Sequence, residues 1–348
     1  MSQILTFLGK GGVGKTYLAI AIAKGYASQG KKVLLVGQEV DGGLLALGQK
    51  FGCEPEPWMP NLQVAQLQAT TLLSSYWEKM KAAEAQFLRT PFFQEVYGQE
   101  LGILPGMDQA LALSWLREKD QHGGYDSIIY DGTGDLTTLR MLGMPEILGW
   151  YLRRFRQVLT SSALGQTIAP FVEPMLRSVV QVSGDISQQA GQMTDVLSLG
   201  AAAVNDPKRV IAYLVTSADP AAIATAKYLW GSAQQVGLTV GGVFSRDRLD
   251  PAEFSPLELV NIPDRCSELT LDFNLELVPS SMVIDLVLKQ VKLFLPGFDK
   301  KQVKLIQSGP EVTIEAGDQR RNLFLPPALA GKPATGAKFQ DGYLIISF

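Results

Sequence analysis

The chain has 348 residues, of which 46% are hydrophobic and 19% charged, a composition that excludes a disordered or fibrous protein. A net charge of −3 excludes binding to nucleic acid by bulk counterion release, so no nucleic-acid partner is expected. Cys53 and Cys266 are its two cysteines, too few for a disulfide framework, a CxxC redox site or a thiolate knuckle, so zinc is not expected. In chain order, the first segment meets Lys10 too soon for a signal-peptide apolar region. The apolar stretches 157–172 and 228–245 are broken by Gly, Ser, Thr, Gln or Pro, so neither reads as a membrane span. A soluble, cytoplasmic protein is the expectation.

Residues 4–8 form an apolar run of strand length. Gly9-Lys10-Gly11-Gly12-Val13-Gly14-Lys15-Thr16 follows, and an Ala-rich helical pattern opens at Tyr17 and runs to residue 28. That is G-x-x-x-x-G-K-[ST] between a strand and a helix, the context in which the pattern binds phosphate. The glycines let the backbone turn without Cβ clashes, so that successive N–H groups face one anion. The helix N-terminus adds its free N–H groups, Lys15 a mobile positive charge, and the Thr16 hydroxyl a ligand for Mg²⁺. Residues 32–36 make a second strand, apolar on both faces as in a buried parallel sheet. A third, 127–131, ends in Asp131, which the sheet would present at its carboxyl edge toward the phosphate loop as a second Mg²⁺ ligand.

The extra lysine, Lys10, gives the loop a closer resemblance, to the deviant Walker A of the MinD/ParA/ArsA superfamily. Within it the chain is similar to the arsenite-pump and tail-anchored-protein-targeting ATPases (ArsA/GET type). Leu104-Pro105-Gly106-Met107-Asp108-Gln109-Ala110 resembles their P-G-M-D-E-A segment. Asp131-Gly132-Thr133-Gly134-Asp135-Leu136-Thr137-Thr138-Leu139-Arg140 resembles their switch II. Leu214-Val215-Thr216 and Val240-Gly241-Gly242-Val243 resemble their last core strands. The resemblance implies a mostly parallel P-loop NTPase sheet with helices on both faces. It implies a homodimer that binds ATP/ADP with Mg²⁺, with Lys10 reaching the partner's phosphates; residues 131–152 hold no Cys where the superfamily's dimeric iron–sulfur relatives carry one, so no iron–sulfur cluster is expected. It also implies a hydrophobic or tail-anchored membrane-protein client, a membrane receptor, and a cytoplasmic location (the chloroplast stroma in plant-type relatives). An anion- or arsenite-coupled ATPase and a holdase with a structural nucleotide are the alternatives.

Three departures qualify the site. Where the family's switch I carries the aspartate that orients the attacking water, this chain reads Gly37-Gln38-Glu39-Val40-Asp41, leaving the role to Glu39 or Asp41. A misplacement of about 1 Å costs on the order of a hundredfold in rate, so slow hydrolysis is expected. Switch II has Gly132, Gly134 and Asp135 where the family has Thr, Pro and Thr. The asparagine that contacts adenine in the family is replaced by Ser245 or Arg246.

Two helical regions, about 58–120 and 137–199, are the expected client-binding face. The second carries Met141, Leu142, Met144, Leu148, Trp150, Tyr151 and Leu152, and then Phe155, Val158, Leu159, Phe171, Val172, Met175 and Leu176. Such a stripe serves equally as an outer helical layer or as an adaptable apolar surface. Trp58, Trp77, Phe87, Phe92 and Phe93 in the first region are equally ambiguous. A last helix is expected over 282–295, ending the ATPase domain at residue 296. Residues 297–348 read as strands over 301–307, 311–316, 321–326 and 342–348. With Ala337-Lys338-Phe339 leading to Gly342-Tyr343-Leu344, that segment resembles a small all-β α-crystallin domain. At about fifty residues it is too small to be comfortable alone and is expected to dock on the larger unit, covering an edge strand.

Overall fold

The apolar runs spaced along the first two thirds of the chain become strands with no face open to water. The computed structural model describes residues 1–38, 44–87, 96–161, 186–263, 266–308 and 311–348. Its main sheet contains β1 (Gln3–Leu8), β2 (Val33–Gly37), β3 (Glu56–Met59), β4 (Leu62–Gln66), β5 (Ser127–Asp131), β6 (Val210–Thr216), β7 (Thr239–Ser245) and β8 (Leu259–Asn261). The order is β3-β4-β2-β5-β1-β6-β7-β8, parallel throughout except for the antiparallel β3–β4 edge. Every residue of β2, β5, β6 and β7 is buried.

Alternate residues of these strands serve two cores, because strand side chains alternate between faces. Leu34, Val36, Ile128, Tyr130 and Leu214 meet helices α3 (Met107–His122), α4 (Leu136–Ser161) and α6 (Pro220–Gln235) through Trp115, Met141 and Trp230. Leu5, Phe7, Leu35, Ile129 and Tyr213 meet α1 (Lys15–Ser28) through Leu18, Ile22 and Tyr26. Helices therefore cover both faces. Two more, α2 (Ala69–Phe87) and α5 (Ile186–Asn205), pack on α3 and α4 respectively. The outer side of α1 is covered in turn by the chain after β8, where Leu269 N–H donates to the Ala21 carbonyl at 2.9 Å. This second cover explains why α1 is apolar nearly all round.

The remainder is all-β and antiparallel. One sheet runs β14-β15-β10-β9, from β9 (Met282–Asp285), β10 (Gln290–Phe294), β14 (Gly336–Gln340) and β15 (Tyr343–Ser347). The other runs β11-β12-β13, from β11 (Val303–Ser308), β12 (Glu311–Ala316) and β13 (Gln319–Phe324). The two sheets share a core of Val291, Leu293, Val312, Ile314, Leu323, Leu344 and Ile346.

Three expectations change. Residues 282–295 are the β9–β10 hairpin and not a helix. Val291 and Leu293 enter the sandwich core on one face of β10, and β10 is paired on both edges, by β9 and β15. The region from residue 58 begins as the β3–β4 hairpin, with Trp58 in β3 under the Lys24 ammonium, 4.9 Å from the ring centroid. The β unit docks on helices and not along an edge strand. Phe294 stacks edge-on against Trp230 at 5.5 Å, and Phe298 against Tyr228 at 5.4 Å. Arg321 inserts between α4, α5 and α6.

Candidate functional site

The carboxyl ends of β1, β5, β6 and β7 converge on one rim of the sheet, and the Gly9–Thr16 loop stands at its centre. Gly12 and Gly14 adopt positive φ, 82° and 98°, which L side chains resist. Gly14 is also the N-cap of α1 and supplies no side-chain cap, so the first-turn N–H groups remain available to an anion. A Cβ on Gly11 or Gly12 would meet nothing within 4 Å, so the loop is open on that side. Val13 is buried and anchors the loop in the α1 core. The Lys15 ammonium donates to the Gly9 and Lys10 carbonyls at 3.1 and 3.3 Å, folded over the loop. Thr16, one residue on, is half-buried at the start of α1. This arrangement fits a nucleotide phosphate chain: free amides, open backbone and one mobile cation.

Asp131 ends β5 between β2 and β1, 7% exposed, and its carbonyl accepts from Gln38 N–H at 3.1 Å. The turn after it reaches across to the loop. Gly134 carbonyl accepts from Gly9 N–H at 2.9 Å, and a Cβ there would lie 2.5 Å from Lys15 Cδ. The turn is held from inside by hydroxyls. Gly134 N–H donates to Thr138 Oγ1 at 3.0 Å, and the Thr133 hydroxyl donates to Asp135 Oδ1 at 2.6 Å. Asp135 Oδ1 also accepts from Thr137 N–H at 2.8 Å, which makes Asp135 the cap of α4. Burial opposes its ionisation, but the hydrogen bonds from Thr133, Thr137 and Thr138 outweigh that and hold the carboxyl below the usual range. The substitution that separates this turn from the family pattern thus has a local structural role.

Lys10 is placed differently from the rest of the loop. Its ammonium donates at 2.6 Å to Asp219 Oδ2 of the same chain, while Oδ1 caps α6 by accepting from Ala221 N–H at 3.1 Å. The Lys10 hydrogen bond, aided by that N–H, lowers the Asp219 carboxyl below its ordinary value. The sequence reading missed Asp219, although Asp219-Pro220 is a readable helix start with Pro at the first helical position.

On the outer side of the loop, Arg246 lies over Gly14, where a Cβ would be 3.6 Å from its Cδ, and its guanidinium is 5.8 Å from the Tyr17 ring centroid. The Tyr17 hydroxyl donates to the Cys266 carbonyl at 2.6 Å. Ser245 is fully buried, with Oγ accepting from Asp247 N–H at 3.2 Å. Of the two residues expected near adenine, Arg246 is the one whose side chain reaches the loop. Glu39 and Asp41 lie outside the described residues, as do Phe92, Phe93, Phe171, Val172, Met175 and Leu176. The side chains of Phe87, Phe155, Val158 and Leu159 are likewise outside the description.

The start of the second helical region is core. Met141 and Leu142 are buried against the sheet, and Met144, Leu148 and Leu152 pack toward Ala110 and Leu197. Trp150 Nε1–H donates to Glu311 Oε2 at 2.9 Å, leaving Tyr151 as the exposed large side chain there. No helix among the described residues is long and apolar enough to cross a membrane.

Comparison with known proteins agrees with this geometry. Residues 2–248 match the anion-transporting ATPase family, and residues 289–348 match the HSP20-like domain found in ArsA. A putative arsenical pump-driving ATPase of Prosthecochloris vibrioformis is 24% identical, covering 99% of this chain and 96% of its own. The ATPase get3 of Schizosaccharomyces japonicus is 31% identical over 40% of this chain and 43% of its own. An ATPase ASNA1 homolog of Entamoeba histolytica is 30% identical over 40% and 45%. With a phosphate loop, a strand-end aspartate and a C-terminal β sandwich in the places these matches cover, the chain belongs to the ArsA family of anion-transporting ATPases, in the form that carries an HSP20-like domain.

Proposed function

We propose that the chain is a homodimeric, Mg²⁺-dependent ATPase whose nucleotide state sets the shape of an apolar surface for hydrophobic clients, tail-anchored membrane proteins in particular. The observation that carries this reading is the short path from phosphate loop to α4. Gly134 touches the loop through Gly9 and Lys15, and its own N–H is held by Thr138 in the first turn of α4. A displacement at the phosphates is therefore handed directly to the helix that leads into the proposed client region.

Mg-ATP, when bound, supplies the phosphoanhydride and a divalent charge beside the departing phosphate. The N–H groups of Gly11–Thr16 would bind phosphate oxygens, and Lys15 would exchange its two carbonyl partners for them. The Thr16 hydroxyl and the Asp131 carboxylate would hold the metal ion. Glu39 or Asp41 would orient the attacking water, with slow turnover expected from the altered position of the carboxylate. Arg246 and Tyr17 would flank the base. Lys10 would leave Asp219 to reach the partner's phosphates. The client surface would be supplied beyond Tyr151, because Met141 and Leu142 are committed to the core. Coupling requires only that nucleotide favour one dimer geometry over another.

The test is titration calorimetry with Mg-ATP, in which Lys15→Ala is expected to abolish the heat, together with co-expression with a tail-anchored peptide. Co-purification should be lost when Phe155, Val158 and Leu159 become Ser. No heat from the unaltered protein, with a single protomer at all concentrations, would end the proposal. Arsenite-stimulated turnover would favour the anion-coupled alternative, against which stands a chain whose two cysteines are the buried Cys53 and the half-buried Cys266. Client release in a non-hydrolysable analogue equal to that in ATP would favour a holdase.

A further inference from the structure

The hairpin between β9 and β10 breaks the usual rules for a sheet edge. Val283, Ile284, Leu286, Val287 and Leu288 are all between 38% and 90% exposed, Val287 the most. Exposed edges are normally blunted by charge, proline or a bulge, and a run of apolar residues at a turn marks a surface made for contact. Val283 and Ile284 are consecutive in a strand, so they point to opposite faces of the sheet. Leu286, Val287 and Leu288 complete the exposure around the tip. A flat partner surface could cover one face of such a hairpin; a medium that closes around it covers both.

The tip is also rigid and carries a particular charge. Asp285 Oδ1 accepts from the N–H groups of Val287 and Leu288 at 3.0 and 2.9 Å, which holds the turn closed and sets one carboxylate against the two lysines that follow. Lys289 carbonyl accepts from Phe348 N–H at 3.0 Å, and Val291 and Leu293 of β10 are locked in the sandwich core. Lys289 and Lys292 follow the apolar tip in the chain, Lys289 exposed and Lys292 half-buried. Apolar residues in front and lysines behind match the order of a bilayer met from outside: acyl boundary first, phosphate layer second.

We propose that this hairpin is a lipid-docking tip that inserts Leu286, Val287 and Leu288 at the surface of a bilayer carrying anionic headgroups. The proposal does not depend on nucleotide hydrolysis. It would give the molecule its own contact with a membrane.

Flotation of the full chain with extruded vesicles tests it, using phosphatidylcholine alone and phosphatidylcholine with phosphatidylserine. The protein should float with the anionic vesicles and progressively less as salt rises. A Leu286→Ser, Val287→Ser, Leu288→Ser triple variant should lower the partition coefficient about tenfold or more. Lys289→Glu should lower it about fivefold on anionic vesicles only. Thermal unfolding and the Mg-ATP heat of each variant should match the parent, which separates lost docking from lost fold or lost nucleotide binding. Absence of flotation with either vesicle, or equal flotation of the triple variant, would overturn the proposal. So would a concentration-dependent oligomer that the triple substitution dissolves without any vesicle binding, since the tip would then be an interface between copies of the chain.

Discussion

At Gly134 one methyl group would act on both walls of the phosphate cup. The residue sits at φ 67°, and a Cβ would lie 2.6 Å from the Phe7 carbonyl oxygen as well as against the Lys15 stem. Gly134→Ala should therefore weaken Mg-ATP binding by about tenfold or more, a loss of about 1.4 kcal/mol, while leaving the sheet intact. Calorimetry beside circular dichroism checks this, and unchanged affinity would remove Gly134 from the coupling path. Its neighbour Asp135 has a depressed carboxyl pKa, so its charge stabilises the fold above the unfolded value near pH 4, and that contribution fades as pH falls through the folded value. Asp135→Asn should lower the unfolding midpoint at neutral pH, and the difference from the parent should close below about pH 4. A gap that persists in acid would mean that the carboxylate charge is not what holds the turn. Gly9–Thr16 was legible because its chemistry is contiguous in the chain. Lys10 and Asp219 are 209 residues apart, so their pairing is a product of the β1–β6 adjacency that no local pattern encodes.

Among the elements, α4 bears on three parts of the structure. Its first turn belongs to the proposed nucleotide site, its middle to the core, and one flank to the β sandwich. Along that flank Arg140 pairs with Asp318, Glu146 with Arg321 at 3.6 Å, and Arg153 with Glu311 at 3.4 Å. Arg321 is the most buried member of these pairs, at 4% exposed against 8% for Glu311; burial lowers its pKa, opposed by the Glu146 charge, and its guanidinium also donates to Gln234 O at 3.0 Å and Asn205 Oδ1 at 3.2 Å. Removing the anion should hurt more than removing the cation, because a buried charge left without its partner is costlier than a neutral replacement of similar shape. Glu146→Gln is expected to cost about 3 kcal/mol in urea unfolding of the full chain, and Arg321→Met less. The opposite ranking would assign the cluster's worth to its neutral hydrogen bonds. Residues 282–295 have a nearly unbroken apolar pattern that suits a buried helix or a pair of strands, and only the pairing of β10 with β15 decides between them. Trp58 falls inside the expected helical region, although Pro57 and Pro60 beside it favour an edge hairpin. By contrast, the alternation of Glu311–Ala316 was unambiguous, and that strand stands where the pattern put it.

For the molecule as a whole, the boundary between the ATPase part and the HSP20-like part is clear in the sequence match but not in the packing. Phe294 of β10 lies in the same buried cluster as Trp230, Met141 and the sheet residues Leu34 and Val36, and Tyr343 of β15 packs against it. Gly231 and Gly297 sit where a Cβ would strike the Pro296 and Lys227 carbonyls, so the backbones of α6 and the sandwich approach with no side chain between them. Texture along the chain could reveal that a β unit begins near its end. It could not reveal the docking site, because α6 presents Trp230 like any core helix and only the folded sandwich supplies Phe294 to meet it. Two units whose cores meet through Phe294 and Tyr343 should unfold together. Tryptophan fluorescence, which senses Trp150 and Trp230 at the junction together with Trp58, Trp77 and Trp115 of the larger unit, and far-ultraviolet dichroism, which senses the whole backbone, should give coincident midpoints in urea. Limited proteolysis should fail to release a stable 282–348 fragment, since freeing it would expose Phe294 and Phe298 together with their partners on α6. Two separated transitions, with an early fluorescence change from Trp150 and Trp230 and a later one from Trp58, Trp77 and Trp115, would instead describe an HSP20-like domain that merely leans on α6, and α4 would then be free to move without it.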